Sequence, residues 1–169
     1  RDSYGQAYRW IVTFTGMIAA MTMILSSTMV NVAVPTIMGS FGVGQDEAQW
    51  MATAFLATMT ASQLLGAWLI ASFGHRAGYL GAVVVFIVGS LLCAWAPNID
   101  LLILGRVVQG FAAGVVQPLA MVMIFRVFPP ERRGLAMSMY GMGIMIAPIM
   151  GPVVGGLTID LIGWRELFY

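Results

Sequence analysis

Ala147-Pro148-Ile149-Met150-Gly151-Pro152-Val153-Val154-Gly155-Gly156 is the stretch whose reading decides the fold. It sits inside a long apolar run from about residue 134 to residue 163. Two prolines and three glycines would break a helix in water. In a membrane span they are tolerated, because packed neighbours and small local adjustments satisfy the freed backbone groups. At about 100° per residue, Ala147, Pro148, Gly151, Pro152 and Gly155 fall on one face. That face has almost no side chain, so another helix can approach closely, as at a small-xxx-small contact. From the residues alone, this is a tight, kinked packing seam in an integral membrane protein.

The rest of the chain agrees. Of 169 residues, 60 % are hydrophobic and 9 % are charged, and the mean hydropathy is +0.89. A soluble domain carries about 25 % charged residues, so a soluble enzyme is excluded. All eight cations are arginine and the net charge is +1, which leaves no nucleic-acid footprint and no polybasic lipid patch. One cysteine, Cys93, allows no disulfide within the chain. One histidine and one cysteine cannot build a metal site of ordinary ligand count. There is no G-x-x-x-x-G-K-[ST] loop, so the chain is not expected to be an ATPase. No cofactor is implied. The first apolar run is too long, and lacks the small-residue cleavage site, for a cleavable signal peptide.

Taken in order, residues 1–9 are polar and carry Arg1 and Arg9. Apolar runs follow at about residues 10–34, 48–71, 79–96, 100–127 and 134–159. The first is expected to stop at Pro35 and is ~37 Å long as a helix, enough to span with some tilt. Residues 72–78, with two glycines, His75 and Arg76, read as a tight turn. Phe128-Pro129-Pro130-Glu131-Arg132-Arg133-Gly134 breaks the chain again. Residues 164–169 read as the start of a sixth span, so the chain is expected to be part of a larger protein. The expectation is five complete transmembrane helices and the start of a sixth, all-α throughout.

Arg1, Arg9, Arg76, Arg126, Arg132 and Arg133 fall at one set of span ends. The opposite ends carry Asp46, Glu47, Asp100, Asp160 and Glu166, with Arg165 as their one cation. Basic residues in short loops stay inside, which puts the N-terminus in the cytoplasm.

Arg106 is the one charged residue placed inside a span. It lies ~9 Å along the helix axis from Asp100. A cation there costs ~2.5–3.5 kcal/mol on insertion scales unless paired or hydrated. It could snorkel to the outer interface. Gln109, Gly110, Ala113 and Gln117 share its face, however, and a lipid-facing helix has no use for that stripe, so a cavity-facing Arg106 is expected. On the first span Thr15, Thr22, Ser26 and Ala33 share a face. They form either a cavity wall or interhelical hydrogen bonds, the latter worth ~0.6 kcal/mol each. Asn31 lies on another face. The fourteen methionines suit soft packing and adaptable apolar surfaces.

Four stretches together resemble one family. The opening stretch is similar to the A-P-x-x-G-P-x-x-G-G signature of exporters in the major facilitator superfamily, where it lies in the fifth span. Leu104-Gly105-Arg106-Val107-Val108-Gln109-Gly110 resembles the fourth-span R-x-x-Q-G motif. Leu25-Ser26-Ser27-Thr28-Met29-Val30-Asn31-Val32-Ala33-Val34-Pro35 resembles the first-span L-D-x-T-x-V-N-x-A-L-P string of fourteen-span drug:proton antiporters of the EmrB/QacA type. Ala67-Trp68-Leu69-Ile70-Ala71-Ser72-Phe73-Gly74-His75-Arg76 aligns with the cytoplasmic loop motif G-x-L-A-D-R-x-G-R-R, of which Gly74 and Arg76 remain. Two departures stand out. Ser26 replaces the first-span aspartate, and Ala71 replaces the carboxylate of the loop motif.

The resemblance implies the N-terminal half of a multi-pass transporter in the bacterial inner membrane, partnered by a C-terminal half beyond residue 169. It implies efflux of drugs or other amphiphilic small molecules by proton antiport and alternating access. In that reading Arg106 acts in electrostatic control, and Thr15, Thr22, Ser26, Gln109 and Gln117 line the substrate cavity. Ala147, Pro148, Gly151, Pro152, Gly155 and Gly156 form the hinge. The two departures also admit a membrane scaffold or sensor that kept the fold and lost transport. All seven Asp and Glu lie in tails, turns or span ends, so no residue of 1–169 is expected to carry the proton.

Overall fold

The computed structural model describes residues 6–169, and their regular structure is helical. Helices α1 (Gln6–Phe41), α2 (Gln45–Ala94), α3 (Ile99–Val127) and α4 (Pro130–Leu161) follow one another, and a 3-10 turn, Trp164–Phe168, comes last. Of the polar segment expected over 1–9, residues 1–5 lie outside the described residues, and residues 6–9 already belong to α1.

Helix α1 does not stop at Pro35. It continues to Phe41. A proline inside a helix removes one hydrogen bond, but the turn beyond it is held by packing. Ile37 is 0 % exposed, in a cluster with Ala33, Ala48 and Trp164. The helix ends where Gly42 takes φ 65°. The amides of Gly42 and Val43 both return to the Met38 carbonyl, at 2.9 and 3.2 Å, as at a glycine C-cap.

The turn expected over 72–78 shrinks to one residue. Gly74 has φ 77° and ψ 166°, and helix runs on both sides of it. This combination is open almost only to glycine. Residues 45–73 and 75–94 therefore form two arms of α2. Helix α3 packs against both. Gly110 and Gly114 of α3 meet Phe55 and Met59 on the first arm, and Gly105 meets Cys93 on the second. Residue numbers climb together along the first contact and oppose each other along the second, so the arms are antiparallel. The second arm ends at Ala94, two residues before the expected end, because the chain turns through 95–98. Asn98 then caps α3, its side chain accepting from the Leu101 amide at 2.9 Å.

The expected break over 128–134 is also shorter. Helix α4 begins at Pro130, since a proline in the first turn gives up no needed hydrogen bond. It runs parallel to α1, with Gly143 against Met17, Gly151 against Thr28 and Gly155 against Met29. The segment expected to open a sixth span is a 3-10 turn. Gly163, at φ 117°, redirects the chain. Trp164 then packs edge-on against Phe41 at 5.5 Å, and its Nε1 donates to Ser40 Oγ at 3.1 Å.

Four helices among the described residues are long and apolar enough to cross a membrane: Ala7–Phe41, Ala71–Ala94, Ile99–Val127 and Pro130–Leu161. The first arm of α2, covering the span expected at 48–71, is helical but is not among those four. Trp10 packs on Phe128 at 5.3 Å, which gathers Arg9, Arg126, Arg132 and Arg133 at one end of the bundle. The Phe41–Trp164 contact marks the other end, where Asp46, Asp100 and Asp160 are exposed. The outward faces are apolar, with Leu64 83 %, Met145 73 % and Ile149 69 % exposed.

Candidate functional site

Arg106 sits about two turns into α3 and is 0 % exposed. It neither snorkels nor opens onto a groove. Glycines at 105 and 110 strip α3 of bulk beside it and let both arms of α2 close in. Its Nη1 donates to Gln109 Oε1 at 2.8 Å and to Ser26 Oγ at 3.3 Å, and its Nε reaches the Met51 carbonyl at 3.5 Å. Its Cζ stands 4.2 Å from the centroid of the Phe55 ring, a cation–π contact strengthened by burial. Among the described residues no carboxylate contacts it, and its Nη2 has no hydrogen-bond partner. A buried cation held by neutral dipoles and one aromatic face keeps an unbalanced positive charge.

Gln109 extends the network. It is 0 % exposed and donates from Nε2 to Ser90 Oγ at 2.8 Å. Cys93 lies beside it, its Sγ 3.9 Å from Gln109 Oε1. The path Ser26–Arg106–Gln109–Ser90 thus crosses from α1 through α3 to the second arm of α2. Ser26 and Ser90 both line a cleft of about 440 Å³. Arg106 stands one side chain behind its wall.

The structure brings together three residues singled out in the sequence: Ser26, Arg106 and Gln109. Thr22 lines the same cleft as Ser26 and Ser90, and the others stand apart. Thr15 and Thr22 border the groove between α1 and the second arm of α2, and their hydroxyls donate to the carbonyls of Ile11 and Ile18 at 2.7 and 2.9 Å. Gln117 lies elsewhere, its Oε1 3.5 Å from Gln63 Nε2. Asn31 is exposed, as are Ala71 and Arg76, and Gly74 forms the reversal itself. In the proline–glycine stretch, Ala147, Gly151 and Gly155 are buried on the α1 side, while Pro148 and Pro152 are exposed and Gly156 is half-buried. Phe55 and the Met51 carbonyl were not visible in the sequence as partners of Arg106, nor Ser90 as the partner of Gln109. The one available signal was Ser90, a lone hydroxyl in an apolar run, one helical turn from Cys93.

The family model described as Major Facilitator Superfamily matches residues 16–169. The chain belongs to this superfamily. A solved structure of the proton:xylose symporter XylE superposes on it with a TM-score of 0.83 at 16 % identity, covering 98 % of this chain and 42 % of that one. Among curated relatives, the Multidrug export protein EmrB of Haemophilus influenzae is 36 % identical over 94 % of this chain. The Probable multidrug resistance protein EmrY of Escherichia coli is 39 % identical over 94 %. This chain spans 31 % of the length of each. It is a major facilitator transporter chain and a multi-pass protein of the bacterial inner membrane, resembling the EmrB type of multidrug transporters.

Proposed function

We propose that the parent protein is a secondary active exporter of drugs or other amphiphilic small molecules, running as a proton antiporter by alternating access. This chain supplies its N-terminal half, with five spans and a cytoplasmic N-terminus. Residues 45–73 are the second span, and the arginine-rich end of the bundle faces the cytoplasm. The observation that carries the reading is the 36–39 % identity, over 94 % of the chain, to proteins named for multidrug export and resistance. Substrate binds near the bilayer midplane between this half and a C-terminal half, and the two rock about it. The seam of α4 on α1 is the hinge, and Arg106 sets the electrostatics of the N-terminal half. The proton carrier lies beyond residue 169. Ser26 and Arg106 do not exchange protons in the physiological range, and Asp46, Glu47, Asp100, Glu131, Asp160 and Glu166 are exposed.

The test is efflux of a fluorescent amphiphile from proteoliposomes holding the full-length protein, with and without an imposed pH gradient. Gradient-driven movement supports the reading. Binding without any movement, under every gradient applied, would favour the scaffold or sensor suggested by Ser26 and Ala71.

A further inference from the structure

We propose that Phe55 is the positioning residue for Arg106: the face of its ring supplies the negative potential that holds the buried guanidinium in place, and export depends on that potential. The proposal rests on the exporter reading for the process that Arg106 serves. It adds the residue through which the first arm of α2 acts on the charge.

Hydrogen bonds alone do not account for where the charge sits. Every acceptor that Arg106 reaches is neutral. Its Nη1 uses Gln109 and Ser26, its Nε meets the Met51 carbonyl only at 3.5 Å, and its Nη2 has no hydrogen-bond partner among the described residues. A cation so placed is costly unless something negative faces it. The group that does so is the Phe55 ring, whose π face carries negative potential, with its centroid 4.2 Å from Arg106 Cζ. Arg106 is 0 % and Phe55 1 % exposed. No solvent screens the pair, so its attraction is stronger than it would be in water. Two other arginines stand over rings, Arg133 over Phe125 at 5.7 Å and Arg165 over Trp164 at 4.4 Å. Each of those pairs has an exposed member, which leaves the charge to water. Of the three pairs, Phe55 and Arg106 alone are both buried.

The ring is also fixed from behind. Gly110, one helical turn beyond Arg106, lies against the Phe55 backbone, and a β-carbon there would fall on the Phe55 carbonyl and 3.1 Å from its Cα. Met51 and Phe55 are one turn apart on α2, so they share a face. That face gives Arg106 both a carbonyl and a ring, which ties the charge to the first arm twice. Phe55 also belongs to an apolar cluster with Met23, Ala112, Val115 and Val116. Packing in that cluster explains a buried ring. It does not explain a guanidinium on the ring's face.

The experiment changes the ring's electrons and keeps its shape. In the full-length protein Phe55 is replaced in turn by phenylalanines carrying one, two and three fluorines, which drain the π face and add little bulk. Efflux from proteoliposomes is expected to fall step by step, by about tenfold at three fluorines, since a desolvated cation–π contact is worth at least a decade in an equilibrium constant. The melting temperature is expected to fall in the same order. In an Arg106→Met background that order should vanish, because the ring then faces no cation. Should Arg106→Met fail to fold, the series in the wild-type background carries the test. Efflux that stays constant along the series would overturn the proposal, whatever the melting temperatures do. An equal fall in melting temperature with Met at residue 106 would overturn it too. A wild-type protein that moves no amphiphile under any gradient would remove the exporter reading, and the positioning of Arg106 by Phe55 would then stand or fall on the two sets of melting temperatures.

Discussion

Gly151 on α4 lies so close to Thr28 on α1 that a β-carbon at residue 151 would fall on the Thr28 hydroxyl. Thr28 cannot easily turn aside, because that hydroxyl donates to the carbonyls of Ile24 and Leu25 at 3.2 and 3.0 Å. The two helices therefore touch backbone to side chain, and any added bulk must part them.

Gly151→Ala should cut export, and Gly151→Leu or Gly155→Leu should abolish it while the protein still inserts. Overpacking of this kind costs about 1–3 kcal/mol. Gly141→Ala, with nothing within 4 Å of its β-carbon, serves as the control and should export normally. Thr28→Ala should partly rescue Gly151→Ala. Efflux at matched expression checks all of these, and wild-type efflux from Gly151→Leu would remove the hinge assignment.

Arg106→Ala should lose export and Arg106→Lys should recover little. The guanidinium reaches Gln109, Ser26 and the Met51 carbonyl at once while stacking on Phe55. Lysine has neither the planar fork nor the stacking face. Removing the arginine also leaves the buried Gln109 oxygen with only the weak Cys93 thiol donor, 3.9 Å away. A thermal melt beside the efflux assay checks this, and normal export by Arg106→Ala would contradict it.

Gly74→Ala should destabilise the α2 reversal by about 1–3 kcal/mol, since φ 77° with ψ 166° is closed to side chains. The open space around its β-carbon means that the loss is conformational and not steric. A lowered melting temperature, with Gly81→Ala as an unstrained comparison, is the expected result. Equal melting temperatures would contradict it.

Much of the fold could be read from short-range signals. The four-residue spacing of Ala147, Gly151 and Gly155 announced a close helix contact, and α1 supplies it. The three-residue step from Arg106 to Gln109 put both on one face, and they are bonded. What failed was non-local. Pro35 reads as a stop, yet Ile37 is fixed from outside its own helix by Ala48 and Trp164. Thr22 lines the same cleft as Ser26, as their shared face suggests, whereas Thr15 lies further along the groove, because the wheel cannot say where a neighbour ends. Ser90 and Phe55 sit in other runs, and no spacing rule connects them to residue 106.

A proton antiporter needs a buried group that gains and loses a proton during the cycle, and carboxylates suit this because burial raises their pKa. Asp46, Glu47, Asp100 and Asp160 are all exposed. Changing each singly to Asn or Gln should leave coupling intact.

The measurement that bears most directly on the central claim is transport by the full-length protein in proteoliposomes under an imposed pH gradient. It compares wild type with Asp46→Asn, Glu47→Gln, Asp100→Asn and Asp160→Asn. The account predicts gradient-driven export of an amphiphile that survives all four changes. Loss of gradient-driven export with retained energy-independent exchange, in any one of them, would place the proton carrier in this half and contradict the account.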